Sequence, residues 1–269
     1  MPPTTPAAPA GGLLPAAQPP PVAFPTPKGG DAQTDPILQI VEVFGPTFQG
    51  EGPNLGRRCG FIRLADCNLA CGWCDTRYSW DWDTHDRAAE VTERTVQGVL
   101  DQVEAMDVPL VIITGGEPLL QKHKGLGELL LACQALGIET NIETNGTSPP
   151  TGMPLPDLLV VSLKLAHSGD PEPKRIRPRA VESFAALAIA DPERVAWKFV
   201  AATPQDLTEI DQLAVRYRLH PDRVWVMPEG RNHTAITDHA RALAQPVLDR
   251  GWNLTTRLHV TLWSDTRGN

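Results

Sequence analysis

The sequence predicts an α/β fold in which repeated strand and helix units build a parallel sheet. From residue 37 onward, short apolar runs rich in β-branched residues alternate with amphipathic stretches. Polar residues gather just after the predicted strands, at the edge where parallel β/α folds bind ligands. Residues 37–269 suffice for one large core, and an α/β barrel of that size commonly remains a single domain. We therefore expect one domain over residues 37–269.

The predicted strands and helices alternate along the chain. Residues 94–106 and 126–136 carry apolar side chains at three- and four-residue spacing, which predicts amphipathic helices. Seven apolar, β-branched runs predict the strands, and these are residues 37–44, 60–65, 109–114, 138–143, 158–162, 196–200 and 223–227.

Two further helices are predicted from their termini. Residues 204–217 follow Thr203, a residue type that favours the N-cap position. Residues 235–250 contain Pro246, which predicts a kink or a break there. Gly251 is placed to end this last helix.

The N-terminal residues 1–36 differ in composition from the rest of the chain. They are dominated by Pro, Ala and Gly and cannot build a core, which predicts either a disordered extension or a spurious one from an early start codon. The segment lacks a basic start, and prolines interrupt its only apolar run, so we do not expect a signal peptide.

Charge and hydropathy exclude several classes of partner. The net charge of −8 and the pI of about 5.4 argue against a broad surface for nucleic acid or acidic lipid. The sequence contains no apolar run of about 18 residues, so we expect no membrane-spanning helix. The five cysteines do not form the pattern of a secreted disulfide framework, which favours a reducing cytoplasm. Cys59 and Cys133 stand alone and are predicted to be small buried residues.

Cys67, Cys71 and Cys74 form a C-x3-C-x2-C cluster on one predicted loop. Three thiolates are one ligand fewer than a closed tetrahedral site uses. A four-iron cluster held by three cysteines keeps one iron open for another ligand, which indicates chemistry rather than storage. The spacing alone leaves two alternatives open, a zinc site completed by His85, and thiols that pack in the core or pair as a disulfide.

The segment TGGEP, residues 114–118, ends a predicted strand. Paired glycines let a backbone approach a ligand that a side chain would exclude. Glu117 and exposed backbone groups are candidates to bind a cationic amino group. An ordinary strand-end turn is the alternative interpretation, since Gly-Gly is common in turns.

These motifs together resemble a known family. The cysteine spacing is similar to the signature of the radical S-adenosylmethionine (SAM) superfamily, and TGGEP is similar to its motif for the amino end of the methionine. With FQGEG at residues 48–52 and Arg63 in GFIRL, the chain from residue 37 onward resembles the 7-carboxy-7-deazaguanine synthase family. The resemblance implies a shortened, partial (β/α)6-type TIM-like barrel.

The resemblance also implies a reaction and its cofactors. Members of the family convert 6-carboxy-5,6,7,8-tetrahydropterin into 7-carboxy-7-deazaguanine with loss of ammonia, in the biosynthesis of queuosine and other 7-deazapurines. The implied cofactors are a [4Fe–4S] cluster, SAM and Mg²⁺. A radical derived from SAM abstracts hydrogen from C6 of the substrate, and SAM is then regenerated. No group of the enzyme itself is expected to act as a catalytic acid or base.

Substrate and metal residues follow from the matching positions. Cys67, Cys71 and Cys74 are the expected cluster ligands, and Thr76 is the expected Mg²⁺ ligand, completed by substrate oxygens. Arg63 is expected to bind the substrate carboxylate, an internal salt bridge being the alternative. Glu51 is expected either to bind the pterin amino groups or to cap a loop. The full set of expected substrate contacts is Phe48, Gln49, Gly50, Glu51, Arg63, Thr114 and Asn269.

The expected cofactor contacts are spread over four strand ends. Trp73 lies between two of the cysteines and is expected to shield the cluster from water. His123, His220, His233 and His259 show no ligand spacing and are assigned to the structure or the surface. The full set of expected SAM contacts is Trp73, Gly116, Glu117, Ser162, Leu163, Lys164, Val226, Met227, Pro228 and Glu229.

The expected partners are a small pterin substrate, an electron donor such as flavodoxin, and a second copy of the chain in a homodimer. Two other functions remain open at this point. One is an activase that installs a glycyl radical on a protein, since its cluster loop can look identical. The other is a zinc-bound interaction module. FQGEG and Arg63 favour a small acidic substrate over a protein.

Overall fold

A computed structural model of the chain describes residues 35–264 and 266–268. Within these residues nine strands form one sheet, in the order β3-β1-β2-β4-β5-β6-β7-β8-β9. The strands are β1 Ile37–Phe48, β2 Arg58–Leu64, β3 Thr92–Thr95, β4 Leu110–Gly115, β5 Glu139–Thr144, β6 Leu158–Val161, β7 Val195–Ala201, β8 Val224–Pro228 and β9 Asn253–Leu254.

The helices mostly lie between successive strands, as the alternating pattern predicts. They are α1 Arg87–Glu90, α2 Val96–Ala105, α3 Gly127–Ala135, α4 Glu172–Arg175, α5 Pro178–Ala190, α6 Asp206–Tyr217, α7 His233–Leu248 and α8 Leu258–Trp263. Short helical turns fill several of the connections, including Arg77–Ser79 after the cysteine loop and Pro118–Gln121, which begins at the proline of TGGEP.

The sheet is parallel from β2 through β4 to β9, which confirms the predicted core of the fold. The prediction of parallel pairing is wrong for β1, which pairs antiparallel with both β2 and β3. The connection between β1 and β2 is too short for a parallel crossover, which needs about a dozen residues or more. The strand β1 also runs past its predicted end at Phe44 to Phe48, through a register shift between Phe44 and Thr47.

Side chains along each strand point alternately to the two faces of the sheet, so the apolar core and the polar site lie on opposite faces. Ile62 and Leu64 of β2 are fully buried in the main apolar cluster, and Trp197 and Phe199 of β7 lie in the same cluster. The residues between them, Arg63 and Lys198, therefore point to the opposite face, because successive strand side chains alternate. This face carries the polar groups of the site.

Two helix termini differ from the predictions. Thr203 does not cap α6 with its side chain; instead the Asp206 carboxylate accepts from the Thr203 backbone N–H at 2.8 Å. The predicted break at Pro246 is wrong, since α7 continues to Leu248. Proline removes one backbone donor, and here the loss is confined to the last turn of the helix. Gly251 follows with φ 66°, the left-handed conformation typical of a helix end.

The two isolated cysteines are buried free thiols, as predicted. In the part of the chain that the structure describes, no helix is both long and apolar enough to span a bilayer. The proposed extension over residues 1–36 lies almost entirely outside the described residues, as does Asn269.

Candidate active site

One cavity opens at the carboxyl ends of the parallel strands and brings together most of the predicted site. The connection between β1 and β2, the cysteine loop and the ends of β2 and β4 to β8 all contribute to its wall. Four of the predicted contacts in the described residues do not line it, and the others all do. These four are Glu117, Leu163, Val226 and Pro228.

These four residues are buried away from the cavity wall. Leu163 and Val226 are fully buried in the main apolar cluster, so their side chains do not face a ligand there. Glu117 is also fully buried. Contacts of these residues with SAM stay a prediction, and Asn269 falls outside the described residues.

Hydrogen bonds from a distant segment hold the cysteine loop. The Asp170 carboxylate accepts from the Ala70 N–H at 2.7 Å, and the Ser168 carbonyl accepts from the Gly72 N–H at 2.9 Å. Lys174 in turn pairs with Asp170 at 2.7 Å. The loop is therefore fixed from outside by the segment that follows β6.

Cys67, Cys71 and Cys74 are free thiols whose positions all line the cavity. Burial raises the pKa of Cys67 to about 12, so in the chain alone this thiol stays protonated and a metal must displace its proton. Among the described residues, no three His, Cys, Asp or Glu side chains meet as the ligands of a single ion would. A four-iron cube binds each thiolate to a different iron, so its ligands need not converge on one point.

Two further observations fit a bound cluster and an organic cofactor. Three soft thiolates on one loop are the donor set that iron–sulfur clusters take. Trp73 lines the same cavity, and its buried Nε1 has no hydrogen-bond partner among the described residues. A buried indole N–H normally finds an acceptor, and a ligand in the cavity would supply one.

The glycines of TGGEP are required by the cysteine loop itself. A Cβ on Gly115 would lie 2.2 Å from the Leu64 carbonyl oxygen, and one on Gly116 would lie 2.0 Å from that of Asp66. The Gly116 N–H also donates to Leu64 at 3.0 Å, and the Glu117 N–H to Asp66 at 2.8 Å. The turn therefore packs directly against the backbone that leads into Cys67.

Glu117 supports the next strand end. Its carboxylate accepts from the Leu119 N–H at 2.9 Å, the Thr144 hydroxyl at 2.7 Å and the Asn145 N–H at 2.6 Å. Burial raises the pKa of this carboxyl above its usual value, although the three donors oppose that rise. Asn145 then reaches Asn68 in the cysteine loop at 3.0 Å. The structure thus places Glu117 as a support for the loop.

Arg63 forms the internal salt bridge that was its alternative prediction, and its binding of a substrate carboxylate stays a prediction. Its Nε forms a salt bridge of 2.6 Å with Glu42, and the residue also lines the cavity. Tyr78 and Arg267 donate to the same carboxylate at 3.0 Å and 2.9 Å. Burial alone would raise the pKa of Glu42, but the two arginines outweigh it and hold the pKa below its usual value. Because the salt bridge uses Nε, the two terminal nitrogens of Arg63 are not needed for it.

A buried ion network forms another part of the cavity. Lys198 Nζ lies 2.6 Å from Glu51 and 3.2 Å from Glu143, and Gln49 donates to Glu143 at 3.1 Å. Burial would raise the pKa of Glu51, but Lys198 and Arg257 hold it below its usual value. Sequence reasoning missed Lys198, although a single charge inside the apolar run VAWKFVA was a usable signal.

Sequence reasoning also missed two other residues of this wall, because their partners lie about 200 residues away in the chain. Arg257 donates to Glu51 at 3.2 Å, to the Gly230 carbonyl at 2.5 Å and to Asp75. His259 was assigned to the structure or the surface, yet it lines the cavity and packs on Gly50, where a Cβ would lie 2.0 Å from its Nδ1. Burial lowers the pKa of His259, which favours the neutral ring.

The cavity therefore has chemically different sides. Thiols suited to iron lie on the cysteine loop, and a fixed arginine and a buried ion network lie on the strands beside it. Such an arrangement suits a small polar molecule held next to a metal cluster.

Comparison with known proteins gives a consistent result. The radical SAM superfamily profile matches residues 62–159, which implies a [4Fe–4S] cluster and SAM as cofactors. The crystal structure of QueE from Escherichia coli has the same fold, with a TM-score of 0.63 at 24% identity over 83% of this chain and 95% of that one. The fold is thus the partial barrel that the sequence predicts.

Two curated relatives named 7-carboxy-7-deazaguanine synthase match nearly the full domain. The protein from Pyrobaculum aerophilum is 34% identical over 87% of this chain and 98% of its own length. The protein from Halobacterium salinarum is 35% identical over 88% of this chain and 94% of its own. The chain therefore belongs to the 7-carboxy-7-deazaguanine synthase family of the radical SAM superfamily.

Proposed function

We propose that the protein converts 6-carboxy-5,6,7,8-tetrahydropterin into 7-carboxy-7-deazaguanine with loss of ammonia, as a step of 7-deazapurine (queuosine) biosynthesis. The observation that carries this proposal is the joining of three groups in one cavity, the three thiols, Arg63 and the buried network around Glu51. The product is the one that the names of the family members state.

The substrate's charge and hydrogen-bonding edge match the two polar parts of the cavity. The terminal nitrogens of Arg63 bind the carboxylate, while Glu42 fixes the guanidinium through Nε. Glu51 is ionised beside Lys198, so it accepts from the amino groups of the pterin. Gln49 is held by Glu143 and reads the rest of the edge.

Cys67, Cys71 and Cys74 hold the cluster, and Trp73, Ser162 and Lys164 lie where SAM would bind beside it. When bound, these cofactors supply the radical that removes hydrogen from the substrate. Thr76 follows the last cysteine and lines the cavity, so we assign Mg²⁺ to its hydroxyl together with the substrate carboxylate. We further propose a flavodoxin-type electron donor, a homodimer and a cytoplasmic location.

A protein substrate, as for a glycyl radical activase, suits this cavity less well. The ion network around Lys198 is buried, and a buried polar set of this kind is matched to a small molecule that displaces little structure. The family relationship favours the small substrate as well.

The test is turnover by the reconstituted enzyme under anaerobic conditions. Reduced protein with SAM, Mg²⁺ and carboxytetrahydropterin is expected to release 7-carboxy-7-deazaguanine, measured by liquid chromatography and mass spectrometry. A tetrahydropterin without the carboxylate is the matched control and is expected to give no product. Protein that holds four irons and cleaves SAM, yet forms no deazaguanine, would exclude the proposed reaction.

A further inference from the structure

We propose that Trp80 raises the reduction potential of the cluster by donating an N–H···S hydrogen bond from its indole to Cys74. Trp80 lies outside the cysteine loop proper, six residues after Cys74, and its Nε1 is 3.3 Å from the Cys74 Sγ. This proposal concerns the cluster alone and does not depend on which substrate the enzyme uses.

The indole is held in position before any cluster binds. The backbone N–H of Trp80 donates to the Arg77 carbonyl at 3.0 Å, and the Arg77 guanidinium lies 5.7 Å from the centre of the indole ring. The Ser79 hydroxyl donates to Thr76 at 2.8 Å, and the Ser79 carbonyl accepts from the Asp66 N–H at 2.8 Å. The turn that carries Trp80 is thus joined to both ends of the cysteine loop, so its donor needs no rearrangement to reach the sulfur.

Asn145, a second side-chain N–H donor beside the cysteines, makes a longer contact with sulfur. Asn145 Oδ1 accepts from the Thr147 N–H at 3.0 Å and from its hydroxyl at 2.6 Å, which fixes the orientation of the amide. Its Nδ2 then lies 3.0 Å from Asn68 but 3.7 Å from the Cys67 Sγ. Trp80 is therefore the better placed of these two donors to act on a cluster sulfur.

The effect on the potential follows from charge. Reduction adds one electron to the cluster and makes its sulfur ligands better hydrogen-bond acceptors. A fixed N–H donor therefore stabilises the reduced form more than the oxidised form, which raises the potential.

The test compares two tryptophan variants of the loaded protein. Trp80→Phe removes the donor and keeps an aromatic ring. Trp82→Phe is the matched control, because the Trp82 indole donates to the Asp66 carboxylate at 2.9 Å instead of to sulfur. Iron and sulfide content, and a potentiometric titration followed by electron paramagnetic resonance, are measured without pterin or SAM.

We expect W80F to hold four irons and to show a roughly tenfold lower ratio of reduced to oxidised cluster at the wild-type midpoint. For a one-electron couple this corresponds to a midpoint about 59 mV more negative. W82F is expected to match the wild type. A W80F midpoint equal to that of the wild type, in protein with full iron content, overturns the proposal.

A second measurement applies if W80F does not retain its cluster. Protein with 15N-labelled indole is prepared as the wild type and as Trp73→Phe, which removes the other indole beside the cysteines. A 15N coupling to the reduced cluster that persists in W73F supports the bond from Trp80, and no coupling in W73F overturns it. Because no substrate is present, neither result bears on the proposed reaction.

Discussion

Lys198 offers the sharpest test of the site's energetics, because it is a single cation buried between two carboxylates. Its side chain is 4% exposed, and it lies 2.6 Å from Glu51 and 3.2 Å from Glu143. Replacing it with methionine keeps most of the side-chain volume and removes the charge. The change leaves Glu143 and Glu51 buried with less compensation, while Glu51 keeps its contact of 3.2 Å with Arg257.

Breaking a buried ion pair from one side costs about 3–5 kcal/mol in the free energy of unfolding. We expect about 3 kcal/mol for K198M, the lower end, because Arg257 still neutralises part of the charge. Arg216→Met is the matched control, since Arg216 and Glu172 are 51% and 60% exposed at 3.4 Å. A surface pair of this kind contributes about 0–1 kcal/mol.

The pH dependence has a defined sign. The folded-state pKa of Glu51 is lowered from 4.5, so its stabilising contribution is present above pH 4.5 and is lost as the pH falls toward the folded-state pKa. K198M removes part of that contribution. The difference in stability between the wild type and K198M should therefore be largest above pH 4.5 and should shrink at lower pH.

Urea unfolding followed by circular dichroism, at neutral and acidic pH, measures both effects. The double variant K198M/E51Q should recover part of the lost stability, because it removes one of the two carboxylate charges that lose Lys198 as a partner. If K198M lowers the free energy of unfolding by no more than R216M does at neutral pH, the ion network around Lys198 is not desolvated and does not stabilise the fold as a buried ion pair would.

Four other predictions concern the cluster, the substrate and the N-terminal segment. Gly116→Ala places a Cβ 2.0 Å from a backbone oxygen and should lower iron content severalfold, whereas Gly72→Ala, whose Cβ meets an atom only at 3.8 Å, should retain it; equal iron content in both would contradict the packing argument. Cys71→Ala should abolish cluster assembly, and a variant that still cleaves SAM would show that Cys71 is not a ligand. Arg63→Ala should raise KM by roughly a hundredfold, the loss of about 3 kcal/mol from a charged hydrogen bond, with normal iron content; unchanged turnover at low substrate would remove Arg63 from the site. Deleting residues 1–30 should leave kcat unchanged, and a large loss of activity would assign that segment a role.

The parts of the fold that were predicted correctly depend on local pattern. The strands β4 to β8 appear within one residue of their predicted bounds. Of these, β4, β6 and β8 are apolar along most of their length, as strands buried in a parallel sheet are. The antiparallel pairing of β1 was missed, since it depends on the length of a connection and on a register shift after Phe44. Neither the length of that connection nor the register shift can be recognised from the pattern of apolar residues.

The site was predicted where its residues form motifs close together in the chain. Cys67, Cys71 and Cys74 share one loop, and TGGEP follows one strand, so spacing alone placed them. Arg257 joins Glu51 across 206 residues, and nothing near either residue indicates the other. His259 was misassigned for the same reason.

The sequence by itself determined the parallel α/β core, the three-thiol loop and the family, because each is written in residues that are adjacent or regularly spaced. The tertiary structure alone decided that the glycines of TGGEP press against the base of that loop, that Glu117 supports it from below, and that Lys198 and Arg257 hold Glu51 ionised. These facts depend on distances between segments far apart in the chain, and short-range packing and charge act only once the fold has brought them together.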